Sequence, residues 1–287
     1  MSLKKILFVC FSVGICFSLS AGDLKIKNGE SIAFLGDSIT QGGWNIGGYI
    51  HFVISGLQHM GVQSKPIPAG ISGHKSTQMN ARVQKDVIEK NPAWMTLSCG
   101  VNDVWHGPKG VPLEQYKKEI TELLDKVDKA GIKVMILTAT MIFEDPNNGL
   151  NQNLAPYNDW LRKIAKERNY LLADLNADMQ KIILQKKTEN PQFKGNVLTS
   201  DGVHMAAAGN KMMAKGILRA FGATEKQLEE IEKFTWRKLP CKTYTIRFSE
   251  EDMDLLNAVA KLKNLSVDKF IYKSTIDKAM ENISIEK

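Results

Sequence analysis

The run SIAFLGDSITQGG occupies residues 31–43, and its reading decides the fold. Residues 31–36 form a short, nearly continuous apolar segment, the pattern of a strand buried on both faces. The strand pattern stops at Gly36, and polar residues follow at once. Gly36 and Gly42 suit a turn, and Ser38 suits the cap of a helix that starts there. What a small, exposed hydroxyl does at the end of a buried strand depends on what the rest of the chain brings to the same place.

The rest of the chain repeats the alternation. Further candidate strands are SKPIP (64–68), AWMTLS (93–98), KVMILTA (133–139) and YLLADL (170–175). Between them lie helical stretches at 45–60, 77–90, 112–131 and 154–169, with another at 205–221. The clearest is PLEQYKKEITELLDKVDKAG, where Pro112 suits the first turn and Gly131 ends the helix. Its apolar stripe is Leu113, Tyr116, Ile120, Leu123 and Val127. Alternating strands and helices with apolar strands predict an α/β fold, a parallel sheet covered on both faces. Ligands on such sheets bind beyond the carboxyl ends of the strands, and Ser38 stands at one of those ends.

The chain of 287 residues suits one good-sized globular domain plus a smaller piece. Its beginning belongs to neither. Lys4 and Lys5 precede the apolar run ILFVCFSVGICF and then small residues, the layout of a secretory signal peptide of residues 1–22, cleaved near Ala21 or Gly22. An uncleaved anchor is the alternative. Val9 and Ile15, before Cys10 and Cys16, are not the small residues of a lipoprotein signal, so the expected product is secreted or periplasmic and free of the membrane. Cys99 and Cys241 then remain, without metal-ligand spacing or a disulfide framework. Loss of Lys4 and Lys5 lowers the net charge from +7 to +5, with no long basic run to follow a nucleic-acid backbone.

Three more clusters fall at the same sheet edge. AGISGHKS (69–76) follows the second strand, and Gly70 and Gly73 permit a tight loop with N–H groups facing a ligand. CGVNDVWHG (99–107) follows the third strand and offers the Asn102 amide. TSDGVHMAAAGN (199–210) places Asp201 and His204 three apart before the last helix of the sheet domain. Acyl transfer needs these residue types. A serine hydroxyl needs a base within reach, and the imidazole needs an acceptor for its other N–H. The developing oxyanion needs preorganised donors, for which the Ser38 N–H, the Gly70 N–H and the Asn102 amide are candidates. Singly, each residue has a plainer reading: Ser38 or Asp201 as a cap, Asn102 as a turn residue, His204 as a surface histidine.

In that order, GDSIT, Gly70 in AGISG, GVND and DGVH resemble the four blocks of the GDSL or SGNH hydrolase family, over roughly residues 30–222. The resemblance implies a three-layer α/β/α, flavodoxin-like fold with a central parallel sheet of five strands. It implies Ser38 as nucleophile, His204 as base and Asp201 as its orienting acid, with Gly70 and Asn102 in the oxyanion hole. It also implies that no metal or organic cofactor is needed.

Trp44, Trp105, His106, Met141 and Phe143 stand on or beside the same loops. Of these, Trp44, Trp105 and His106 are the candidate substrate-binding residues. Aromatic rings there suit stacking on a sugar, and core packing explains them as well. A short loop after the nucleophile resembles the carbohydrate O-acetylesterase branch, so the expected substrate is a small acyl ester or acetylated carbohydrate. A lysophospholipase or thioesterase taking longer chains is the rival enzyme, and a binding or assembly protein with an idle site is the rival from another class.

The sheet domain is expected over 23–235 and an appendage over 236–287. In the appendage, Tyr244, Ile246 and Phe248 alternate with polar residues as a one-faced strand. Ser249 caps a helix with Asp252 at the box position, and a second helix starts at Ser266. Strand–helix–helix resembles the ribbon-helix-helix repressors. From Cys241 to Lys287, however, eight basic residues are balanced by eight acidic ones, which argues against DNA. A piece this small struggles to bury a core alone, so a homodimerisation module, or one packed on its own catalytic domain, is expected.

Overall fold

The computed structural model describes residues 24–238 and 249–263. Five strands, β1 (Ser31–Gly36), β2 (Lys65–Gly70), β3 (Trp94–Ser98), β4 (Lys133–Leu137) and β5 (Leu171–Ala173), form one sheet in the order β2-β1-β3-β4-β5. Every pairing is parallel, as the apolar strands predict. Right-handed crossovers determine where the helices go. The step from β1 to β2 runs one way across the sheet, and the next three steps run the other way. So α2 (Tyr49–His59), between β1 and β2, covers one face. The helices α3 (Ser76–Asp86), α5 (Leu113–Lys129) and α6 (Gly149–Glu167) pack in sequence on the other. α8 (Ala207–Ala220) packs beside α2, and α9 (Glu225–Phe234) lies against both. The strand order reverses between β1 and β3, and the crevice at their carboxyl ends is where such sheets bind ligands.

The central strands are fully buried along nearly their whole length, which is why they read as continuous apolar runs. β2 is an edge strand, and its Pro66 and Pro68, which can donate nothing to a ladder, are tolerated for that reason. Tyr116, Ile120, Leu123 and Val127 of α5 are completely buried, and each stabilises the fold by about 1.5–3 kcal/mol through apolar surface removed from water.

Two of the longer helices of the sheet domain escape the sequence reading. α7 (Leu175–Glu189) begins inside the expected strand YLLADL because the Asp174 side chain accepts the Ala177 N–H at 3.2 Å and starts a helix. α9 is opened by a capping box of Thr224 and Gln227. Trp236 also changes place: expected in the appendage, it is buried, stacks on Phe52 at 5.1 Å and donates Nε1–H to the Phe52 carbonyl at 2.9 Å. The packed body therefore runs through Trp236. In the appendage, α10 (Glu250–Leu262) is capped by Ser249 and Asp252 as expected. The leader, Cys241, the strand at 244–248 and the helix from Ser266 lie outside the described residues.

Candidate active site

The GDSIT segment owes its shape to two close approaches. A Cβ on Gly36 would sit 2.1 Å from Thr40 Oγ1 and 3.2 Å from the Ser98 carbonyl, so only glycine lets α1 (Ser38–Gly43) turn directly off β1. The cap of that helix is Asp37 rather than Ser38: Asp37 Oδ1 accepts the Ile39 N–H at 2.9 Å. This corrects the capping reading and leaves the Ser38 hydroxyl free. Ser38 is the first helical residue, partly exposed, with Oγ 2.9 Å from His204 Nε2.

His204 comes from a tight turn before α8. The turn closes through the Ser200 N–H on the His204 carbonyl at 2.8 Å and a bridge between Thr199 and Met205. Asp201 Oδ1 accepts the N–H groups of Val203 and His204 at 3.0 and 2.8 Å, so Asp201 caps this turn and not a helix. Its Oδ2 lies 2.6 Å from His204 Nδ1. A carboxylate there accepts the Nδ1 proton and leaves Nε2 as the acceptor for the serine hydroxyl. Burial alone would push Asp201 up, but the hydrogen bonds from the His204 ring and from the two N–H groups hold its pKa down at about 2.

Two side chains that local sequence patterns do not reveal hold the loops in place. Glu144 is buried and accepts Leu198 N–H, Thr199 N–H and the Thr199 hydroxyl, at 2.7–2.8 Å, and Val197 N–H at 2.5 Å. Next to it, the Phe143 N–H donates to the Gly202 carbonyl at 2.7 Å. The loop after β4 thus clamps the Asp201–His204 turn. On the other side, Arg82 donates to the Gly36 carbonyl at 2.8 Å and to His74 Nδ1 at 3.1 Å, tying the end of β1 to the loop after β2.

The candidate oxyanion donors converge on the same edge. Gly36 and Gly70 are partners in the β1–β2 register, and a Cβ on Gly70 would strike the Gln41 nitrogen at 2.4 Å, so Gly70 must be glycine for α1 to lie so close. The Ser38 N–H opens α1 and has no intrahelical acceptor. Asn102, on the short helix α4 (Val101–Trp105), directs Nδ2 at Asp37 Oδ2 (3.2 Å) and at the His74 carbonyl (3.3 Å). Both bonds are longer than the preferred 2.9–3.0 Å.

Asp37 carries a pH signature. Burial pushes its carboxyl up and the nearby Asp103 adds to this, while the Ile39 N–H opposes, leaving a pKa of about 6 against an ordinary 3.8. The native state therefore binds this proton more tightly than the unfolded chain does. Stability falls as pH rises from about 4 to 6, and the loss, on the order of 2–3 kcal/mol, is complete above that window. Asp37→Asn keeps a capping oxygen and cannot ionise. In urea unfolding the stability difference between variant and wild type is expected to move in the variant's favour by about 2 kcal/mol from pH 4 to pH 8. A gap that does not move with pH would contradict this.

A cavity of about 570 Å³ opens beside Ser38 and His204, with Ile46, Phe52, Lys211, Trp236 and Arg237 on its walls. The three candidate substrate residues do not line it. Trp44 is 39% exposed with its ring 6.1 Å from that of His51, and Trp105 packs on Phe143 at 5.6 Å. His106 Nε2 lies 3.3 Å from Asn102 Oδ1 and so orients the amide. Met141 is buried and belongs to the core. Among the described residues no cluster of three or more His, Cys, Asp or Glu side chains could hold a metal ion.

A model of the GDSL-like lipase/acylhydrolase family matches residues 34–212. An acetylxylan esterase of Geobacillus stearothermophilus is 28% identical over 221 residues, which cover 69% of this chain and 97% of that one. The crystal structure of the acetyl xylan esterase AlAXEase is 35% identical, covers 66% of this chain and 98% of its own, and superposes with a TM-score of 0.62. The acetylxylan esterase Axe2 from Geobacillus stearothermophilus is 25% identical over 70% of this chain and 98% of its own, also with a TM-score of 0.62. Further Axe2 structures are of catalytic mutants in which an aspartate, a serine or a histidine is replaced by alanine.

Proposed function

Because the chain belongs to the GDSL-like lipase/acylhydrolase family, and is a carboxylic ester hydrolase, we propose that it is a secreted serine esterase that removes acetyl groups from carbohydrate. The observation that carries the reading is the hydrogen-bonded chain from Asp201 through His204 to Ser38, with separations of 2.6 and 2.9 Å. In Axe2 the catalytic mutants fall on the same three residue types, and the substrate named for these relatives is acetylated xylan. Secretion rests on the leader-like residues 1–22.

The steps follow from the placement. Ser38 Oγ attacks the acetyl carbonyl while His204 Nε2 takes its proton, and the ionised Asp201 stabilises the imidazolium. Negative charge moves onto the carbonyl oxygen, which the Ser38 and Gly70 N–H groups and the Asn102 amide receive. Each such donor lowers the barrier by about 3–4 kcal/mol. His204 returns the proton to the departing sugar hydroxyl, leaving an acetyl ester on Ser38. Water, deprotonated by His204, then releases acetate and restores the serine.

Chromogenic esters of two, four and eight carbons test the reading. The rate constant kcat/KM is expected to fall by more than about tenfold from the acetate to the octanoate. A preference for eight carbons would move the substrate to lipids.

A further inference from the structure

We propose that the cavity beside Ser38 is a subsite for the carboxylate of a uronic acid, so that the enzyme favours acetylated glycans that are also acidic. This rests on the carbohydrate reading above and adds the substrate's charge.

The walls carry the argument. Ile46, Phe52 and Trp236 give an apolar floor suited to the C–H face of a sugar ring. Among the described residues, the charged or titratable side chains lining the cavity are His204, Lys211 and Arg237, with no carboxylate beside them. Lys211 on α8 lies 3.3 Å from Glu232, but that carboxylate also receives Lys215 at 2.5 Å. One carboxylate shared by two ammonium groups, with Arg237 added, leaves a surplus of positive charge at the rim. Of the uncharged polar residues that also line it, Asn210 is committed, its Oδ1 accepting the Tyr49 N–H at 2.9 Å and its Nδ2 donating to the Met205 and Ala206 carbonyls, and the Ser200 hydroxyl donates to the His204 carbonyl at 3.2 Å. The charge these lining residues present is cationic, and a planar guanidinium is the side chain best matched to a carboxylate.

The position suits the reaction. An ester held at Ser38 places its sugar, and the sugar next to it, across this opening. Trp236 and Arg237 stand beyond residues 34–212, the span matched by the family model, while Lys211 lies within it. The net charge of +5 that remains without Lys4 and Lys5 also favours encounter with acidic polymers.

The test compares kcat/KM on five probes. They are neutral O-acetylated xylo-oligosaccharides, the same oligosaccharides bearing a glucuronic acid side chain, O-acetylated oligogalacturonides, and both acidic probes after methyl esterification of the carboxylate. Esterification removes the charge with little change in shape, so the ratio of charged to esterified substrate reads the subsite alone. Wild type is expected to favour at least one charged form by about tenfold, mostly through KM, with the ratio shrinking as salt rises. Which acidic probe shows the ratio tells whether the carboxylate sits on a branch or in the backbone. In the double variant Lys211→Gln, Arg237→Gln the ratio is expected to fall to about one, with a thermal melt as the check on folding. Equal rates on charged and esterified probes in wild type, or a ratio that survives in a folded double variant, would overturn the subsite and leave the acetylesterase reading standing. Turnover of chromogenic acetates without release from any oligosaccharide would overturn the carbohydrate reading and the subsite with it.

Discussion

Ser38→Ala is expected to lower kcat for a chromogenic acetate by about 10⁴–10⁶ while leaving the thermal midpoint nearly unchanged. The two halves of this result have separate causes. Without the hydroxyl no acyl intermediate forms, and the activity that survives is what the oxyanion donors and binding provide over water. Stability is spared because the cap of α1 is Asp37, so Ser38 carries no capping bond, and its recorded hydroxyl contact is with His204. Surface changes of this kind stay within about 0.5 kcal/mol. A large fall in the melting point would show that Ser38 has a structural duty that this account does not give it.

The second largest effect is expected at Asp201. Asp201→Asn preserves an oxygen for the Val203 and His204 N–H groups, so the turn should keep its shape. What changes is the ring. The amide can offer an N–H to His204 Nδ1, which favours the tautomer with its proton on Nε2, and that nitrogen can then no longer accept from Ser38. A loss of about 10³–10⁴ in kcat with little change in KM is expected. The pH profile adds a check. With its pKa at about 2, Asp201 is ionised at every pH where the enzyme would be assayed, so it sets no acid limb above about pH 3. Its carboxyl is held below the ordinary value, so the stability it contributes is present above about pH 4 and is lost as pH falls towards 2. The side chain is half exposed, and solvent screening keeps that contribution small. Activity within tenfold of wild type in Asp201→Asn would remove the orienting role from this residue.

Most of this architecture was legible because its signals are local. The central strands are buried on both faces, and that requirement writes itself into consecutive residues, as in IAFLG. The four site clusters lie at turns where glycine, serine, asparagine and the Asp–His pair stand within a few residues of one another. The rest was hidden because it acts over long separations. Glu144 holds residues 53 to 55 positions away, and Arg82 reaches back 46 positions to Gly36, so no local spacing marks either. Phe52 and Trp236 meet across 184 positions, which is why Trp236 read as part of the appendage. The cap at Asp37 was masked for a different reason. Asp and Ser are both good caps, and only the geometry of the Ile39 N–H decides between neighbours. Trp44 and Trp105 stand on the expected loops and lie outside the lining of this cavity, a placement that loop position alone does not settle.

The central claim is that Ser38 hydrolyses acetyl esters of carbohydrate. The most direct test is acetate release from O-acetylated xylo-oligosaccharides, followed by proton NMR, with wild type and Ser38→Ala at equal concentration. The account predicts steady release by wild type and none above buffer with the variant. Release at the same rate from both proteins would contradict it, as would a wild type that leaves every acetyl group in place.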